Sequence, residues 1–263
     1  MILKKMYTII KTEIVNGYGK TLVYVNPDRQ SEKRSKNLKK SIIFAVLALV
    51  LISAVGCAPV ADWDNVTNQT VVAKINGEEY KYELLNYSYQ QKSIATKISK
   101  EISQGEDSIE ISENKDGMND ALNRLMGNAA LSAVAQSEGK GMTESDAAAL
   151  AESTLIDSVT RYDYMREYLA QMLLALDTTE KELVETASVE MRLAADAETI
   201  AAELLGEIKE EKHEADSAQL AEELAERLEE TVKSISVENV MTGEKDVCPN
   251  FKVFAEEIVL LNK

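Results

Sequence analysis

The sequence has little of what most enzyme sites are built from. Its 263 residues include two cysteines, three prolines and one histidine. That histidine, His213, lies in the charged run EEKHEAD, and a metal site would need more ligands near it than the chain offers. A Gly-rich phosphate loop, paired cysteine spacing and a nucleophile elbow are missing as well. We therefore expect no enzyme activity, no cofactor and no metal.

Basic residues are also scarce relative to acidic ones. The chain holds 29 lysines and arginines against 45 aspartates and glutamates, which gives a net charge of −16. Residues 57–263 alone hold 42 acidic and 19 basic residues. A surface this acidic repels nucleic acid and anionic lipid head groups. We expect no nucleic-acid partner, and no motif indicates a small-molecule substrate.

Residues 33–57, KRSKNLKKSIIFAVLALVLISAVGC, combine a basic cluster, an apolar run and a cysteine. This is the three-part layout of a bacterial export signal. Its end, from Ala54 to Cys57, resembles a lipobox at which Cys57 receives lipid such as palmitate. As a helix, Ser41–Gly56 would be about 24 Å long, less than the roughly 30 Å of a bilayer core. We expect a cleaved lipoprotein signal peptide, with an uncleaved signal anchor as the alternative.

Either outcome places the rest of the chain outside the cytoplasm. Positive charge ahead of an apolar segment keeps that end of the segment in the cytoplasm. Residues 58–263 are therefore expected in the cell envelope, lipid-anchored to the membrane through Cys57 on its extracytoplasmic side. For residues 1–32 we expect either an over-extended start or a cytoplasmic tail. The expected parts of the chain are an N-terminal extension plus signal peptide (1–56), a tether (57–70), a helical domain (71–187), and a helical hairpin with a C-terminal β segment (188–263).

Apolar spacing after the tether predicts a mainly α fold with a small β element. Val71–Ile75 is a β-branched run, and Asn76-Gly77 after it is the favoured pair of a tight hairpin turn. A helix is predicted to begin near Lys81. Apolar residues at three- and four-residue steps predict a further helix over 118–137. Sparse aromatics, together with abundant alanine, leucine and glutamate, favour helix throughout.

The last part of the chain predicts paired helices followed by strands. Two narrow apolar stripes over 188–233 favour a paired-helix seam. Lys212–Asp216 between them is either a turn or the middle of one long helix. Strands are predicted over Ser234–Val240 and Phe251–Leu261. We expect them to join the element over 71–80, which would return the chain end to its beginning.

The stretch VVAKINGEEY over residues 71–80, followed by a helix, resembles the opening of SurA-type N-terminal chaperone domains and of PrsA-type foldase lipoproteins. That family often begins with a short strand, Asn-Gly, an acid and then a helix. The stretch from Leu122 to Gly139 is similar to its next helix, which ends in Ala-x-x-x-Gly, and Thr143–Asp146 to the capped helix after that. The resemblance covers residues 71–156. It implies a helical domain that binds unfolded or exported polypeptides without reacting groups.

Family members often carry a parvulin prolyl-isomerase domain after this region. Glu190–Lys209 is faintly similar to the first strand and helix of that domain. The expected histidine is missing, because Leu193 and Ala194 follow Arg192, and no cysteine or aromatic cluster forms a proline pocket. The chain thus lacks a recognisable parvulin active site, and no catalytic residue is assigned.

A chaperone needs apolar surface that accepts many sequences, and methionine suits this because its flexible thioether adapts to varied partners. An ordinary hydrophobic core explains the same residue types at helical spacing, and it is the commoner role. The candidate client-binding residues are Met126, Tyr162, Met165, Tyr168 and Met172.

Two alternatives to a chaperone remain open at this point. In the first, a structural or assembly lipoprotein binds one specific partner through its 188–233 helices, with Leu204, Leu224 and Leu228 docking in the partner's groove. In the second, the protein is an active prolyl isomerase. A single dominant partner in a pull-down would favour the first, and a proline-peptide assay tests the second.

Overall fold

The structure is a computed structural model that covers most of the expected exported part. It describes residues 63, 65–104, 115–160 and 162–262. Cys57 and the predicted export signal lie outside the described residues. Within the described ranges, every helix is too short or too polar to cross a bilayer.

The fold class predicted from the sequence is confirmed, because the described chain is mainly helical with one small antiparallel sheet. The strands are β1 Val71–Ile75, β2 Glu78–Lys81, β3 Val237–Asn239 and β4 Glu244–Lys245. The helices are α1 Tyr82–Gln104, α2 Lys115–Ser137, α3 Glu144–Leu155, α4 Asp163–Leu176, α5 Glu180–Glu211, α6 Ser217–Thr231 and α7 Lys252–Leu261, with a 3₁₀ turn over Asp157–Thr160.

The sheet brings the end of the chain back to its beginning, as the sequence predicts. Its strand order is β2-β1-β3-β4, and β3 lies antiparallel to β1 with Ala73 opposite Asn239. The hairpin between β1 and β2 turns at Asn76 and Gly77, both in the left-handed region with φ of 50° and 84°. Asparagine and glycine tolerate that conformation best, which explains the tight turn.

Helix-capping residues explain where the central helices begin. Thr179 forms a capping box with Glu182 at the start of α5, and Asp216 forms one with Gln219 at the start of α6. The chain between α5 and α6 is therefore a turn, which decides between the two alternatives for Lys212–Asp216. The expected domain boundary at residue 187 falls inside the continuous helix α5.

The strand predicted over Phe251–Leu261 is wrong, because this segment is helix α7. Its buried residues Ala255, Ile258 and Val259 follow Phe251 at steps that match a helix. The adjacent pair Glu256-Glu257 breaks the alternation that a strand would need. Of the strand predicted over Ser234–Val240, only the three residues of β3 are extended.

The side chains form two hydrophobic cores that share α5. The first core joins the sheet to the start of α1, to α2, α6 and α7, and to the second half of α5. The second core joins α1, α3 and α4 to the first half of α5. With 32 residues, α5 is about 48 Å long, so one helix can contribute to both cores.

Candidate functional site

The five candidate client-binding residues do not lie together. Met165, Tyr168 and Met172 lie on the inner face of α4 and are buried in the second core. Met126 is buried in the first core, on α2. Tyr162 precedes α4, and 38% of its surface is exposed. The structure therefore brings three of the five together and separates Met126 from them.

Four of these five side chains are as buried as ordinary core residues. A core role is the commoner one for residues of these types at helical spacing. In the described conformation they do not line an open groove, so client binding at these positions stays a prediction. The residues of the second core are Tyr87, Ile94, Ala95, Ile98, Ala151, Leu155, Met165, Tyr168, Leu169, Met172, Leu183, Ala187 and Met191.

Two buried tyrosine hydroxyls distinguish the second core from a purely apolar one. Tyr87 on α1 and Tyr168 on α4 are buried, and among the described residues the Tyr87 hydroxyl has no hydrogen-bond partner, while only Gln91 lies near the hydroxyl of Tyr168. Burial raises the pKa of both phenols. Tyr168 and then Glu190 raise the pKa of Tyr87 further, whereas for Tyr168 the effect of Glu190 is opposed by Gln91, which lowers the pKa. A buried hydroxyl that lacks a partner costs about 1–3 kcal/mol of stability. The sequence predicts that Tyr87 lies on the apolar face of α1, but it does not predict that its hydroxyl lacks a hydrogen-bond partner.

Glu190 on α5 is the acidic residue that acts on this pair. Its side chain is partly buried. Burial raises the pKa of the Glu190 carboxyl, Glu198 raises it further, and Arg124 opposes both effects. The second core thus holds two neutral phenols within electrostatic range of a carboxyl group that is reluctant to ionise.

Replacing Glu190 by glutamine is expected to stabilise the protein at neutral pH. Because the folded-state pKa of Glu190 is raised, its contribution to stability is complete below the unfolded value near 4.5 and is lost as the pH rises through the folded-state pKa. The melting temperature of Glu190→Gln should therefore exceed that of the parent by about 2 °C at pH 7, with a difference that vanishes near pH 4.

Thermal unfolding followed by circular dichroism between pH 4 and pH 8 measures this difference. Glu210→Gln, on the exposed surface of the same helix, is the matched control and should show no such trend. A difference between Glu190→Gln and the parent that stays constant over this pH range would contradict the prediction.

A buried acidic side chain, Asp196 on α5, organises the loop after α2. It accepts hydrogen bonds from Ser132 Oγ at 2.6 Å, Gln136 Nε2 at 2.8 Å and the Met142 amide at 2.6 Å. A Cβ at Gly141 would collide with the Gln136 side chain, so glycine there leaves room for this network. All three donors are neutral groups of the fold. The arrangement holds the loop to α5 and presents no reacting group.

The remaining histidine and cysteine of the described chain are both on the surface. In the described part of the chain, histidine, cysteine, aspartate and glutamate form no group of three that could hold a metal. His213 is exposed in the turn between α5 and α6. Cys248 is exposed, and partial burial of its sulfur together with Glu229 raises the pKa of its thiol, so the reactive thiolate is disfavoured.

The structure also places the residues on which the two alternative functions depend. Leu224 and Leu228, proposed as docking side chains, are buried in the first core, and Leu204 is partly buried against it. Glu190–Lys209, which resembles an isomerase strand and helix, lies entirely within helix α5. Comparisons with protein-family models, curated proteins and solved structures found no match to this chain.

Proposed function

We propose that this protein is a membrane-anchored extracytoplasmic lipoprotein that binds unfolded or exported polypeptides as a chaperone. The observation that carries the proposal is the run ending in Cys57, followed by the strand, Asn-Gly turn, strand and helix of residues 71–104. The mainly helical fold with its small sheet supports it, since a SurA-type domain implies such a fold. Met126, Tyr162, Met165, Tyr168 and Met172 remain the candidate client-binding residues because their side chains adapt to varied apolar partners, although four of them are buried in the described conformation.

Cys57→Ala is expected to abolish lipidation and to release the protein from the membrane. A single acyl chain gives only marginal binding to a membrane, so anchoring depends on the complete lipid modification of this residue. Labelled palmitate incorporation and fractionation of the native organism measure both effects. Cys248→Ala removes the other cysteine and should leave label and fractionation unchanged. An unlabelled parent protein, or one found in the cytosol, would refute the proposal.

The lipoprotein should also suppress the aggregation of an unfolded model protein at stoichiometric amounts. The same preparation in a proline-peptide assay separates this activity from prolyl isomerisation. Because Leu224 and Leu228 are buried, a specific partner would have to use other residues of the 188–233 hairpin. A cross-linked pull-down with one dominant partner and no general suppression would favour the assembly function over the chaperone.

A further inference from the structure

We propose that Trp63 fixes the tether to the folded domain and thereby holds one end of that domain close to the surface of the lipid bilayer. This inference rests on the proposed function, because it requires that Cys57 lies at the membrane. It concerns the chain between Cys57 and β1, of which the structure describes residue 63 and residues 65–70. We call residues 65–70 the docked segment, because they contact the domain in the way described next.

Trp63 packs on the domain through its ring. It is partly buried against the first core, and its ring lies beside that of Tyr82, the first residue of α1, with 6.2 Å between the ring centroids. The indole Nε1 is buried and has no hydrogen-bond partner among the described residues. Burial of a large apolar ring is therefore what holds Trp63 in place.

The docked segment is fixed by hydrogen bonds to the start of α1. The carbonyl oxygen of Thr70 accepts from the Tyr82 amide at 2.8 Å, and that of Asn68 accepts from the Glu83 amide at 3.3 Å. The first amides of a helix have no partner within the helix, so the docked segment supplies the acceptors that α1 lacks. The free part of the expected tether therefore ends at Trp63.

The short stretch of sequence between Cys57 and Trp63 limits how far the domain can lie from the membrane. Five residues separate the two, and this length of chain spans at most about 22 Å in any conformation. A tether that ran free to Thr70 would span up to about 47 Å. An uncleaved signal anchor gives the same limit, because its apolar run also ends next to Cys57.

The docked segment, the start of α1 and the turn between α4 and α5 form one end of the domain, which we call the tether end. Gln69 and Asp177 line the same surface recess, and Thr186 on α5 donates to Glu83 Oε1 at 3.2 Å. From Thr186, α5 continues to Glu211, which is about 38 Å further along the helix axis. The turn between α5 and α6 is therefore the far end of the domain.

Charge favours the same orientation. The docked segment, NVTNQT, carries no charge, whereas exposed glutamates at the far end include Glu210, Glu214 and Glu222. Anionic lipid head groups repel these glutamates. Asp177 at the tether end is acidic as well, so the length of the tether, rather than charge alone, brings this end to the bilayer. The surface that the tether end faces is thus that of the bilayer.

Energy transfer from the domain to lipid head groups tests this proposal in the full lipoprotein. In a Cys248→Ala background, a fluorescent donor is attached through Lys181→Cys at the tether end or through His213→Cys at the far end, both of which are exposed positions. Vesicles of phosphatidylcholine and phosphatidylglycerol carry the acceptor on their head groups. Transfer from the tether end should exceed transfer from the far end by about threefold or more, because the two ends are separated by most of α5.

Variants of Trp63 test whether its docking sets this spacing. Trp63→Ser should lower transfer from the tether end by about half, because the free tether then extends to the turn at Thr67, up to about 36 Å. Trp63→Phe is the matched control: it keeps an apolar ring and loses an N–H that has no partner, so transfer should stay unchanged. Inserting about twelve Gly and Ser residues after Val60 lengthens the tether without altering the domain and should lower transfer further.

The outcomes separate the docking of Trp63 from the function on which the proposal rests. Acrylamide should quench the emission of Trp63, the single tryptophan, much less in the folded protein than in urea. Equal quenching in the two states would overturn the docking, whether or not the protein is at a membrane. Equal transfer from both ends, or equal transfer for Trp63→Ser and the parent, would overturn the short spacing. A parent that does not float with vesicles would overturn the proposed anchoring together with the spacing, while quenching alone would still decide whether Trp63 docks.

Discussion

Asp196→Ala should lower the free energy of unfolding by about 3–5 kcal/mol, since each donor that loses its acceptor in a buried site costs about 1–3 kcal/mol. The Asp196 carboxylate is 1% exposed and accepts from two side chains and one backbone amide. Gln136 is exposed and can turn to water, so its loss is the smallest of the three. Most of the loss in stability would come from Ser132 and the Met142 amide, because both would lose their hydrogen-bond acceptor.

Urea unfolding, followed by the fluorescence of the single tryptophan, Trp63, measures this effect. Asp196→Asn keeps the shape and one acceptor oxygen and is expected to lose about half as much. Glu210→Ala, on the exposed side of the same helix, should change stability by less than about 0.5 kcal/mol. A loss below about 1 kcal/mol for Asp196→Ala would show that the network contributes little.

Phe251→Ala is expected to destabilise the protein by a similar amount, about 3–5 kcal/mol. The Phe251 ring is buried at the start of α7 and lies against α2, where its Cε1 is 3.1 Å from the position that a Cβ on Gly127 would occupy. It also makes a tilted contact with Phe254, with 6.4 Å between the ring centroids. Alanine would leave a cavity between α2 and α7 that the glycine cannot fill.

The matched control for Phe251→Ala is Val253→Ala on the same helix. Val253 is 45% exposed, so its truncation should cost less than about 0.5 kcal/mol. Urea unfolding of both variants and of the parent gives the comparison. Equal losses of stability for the two variants would contradict the prediction, because they would mean that the buried Phe251 contributes no more than the exposed Val253.

The two long-range features behind these predictions show the limits of pattern analysis. Asp196 lies 54 to 64 residues away in sequence from its three donors, and no local pattern brings such groups together. Phe251 was predicted in a strand because apolar residues near the chain end can satisfy either period over a short run. Contact with α5 and α6 selects the helix.

The candidate site was predictable in part. The three- and four-residue spacing of Met165, Leu169 and Met172 predicts one face of a helix, and these residues do share the inner face of α4. The same spacing cannot say which core receives that face, and Met126, of the same residue type, is buried in the other core. The unpartnered hydroxyl of Tyr87 could not be predicted either, because satisfaction of a buried group depends on distant neighbours.

By itself, the sequence determined the local features of this protein: the mainly α fold class, the capped helix start at Thr143 and the hairpin turn at Asn76-Gly77. Each depends on residues within a few positions of one another, whose propensities and capping hydrogen bonds act over one turn of chain. Only the tertiary structure decided the register in which β3 pairs with β1, that α5 serves two cores, and that two tyrosine side chains are buried between α1 and α4. These outcomes depend on which distant segments meet, because burial and hydrogen bonding inside a core are properties of the packed elements together.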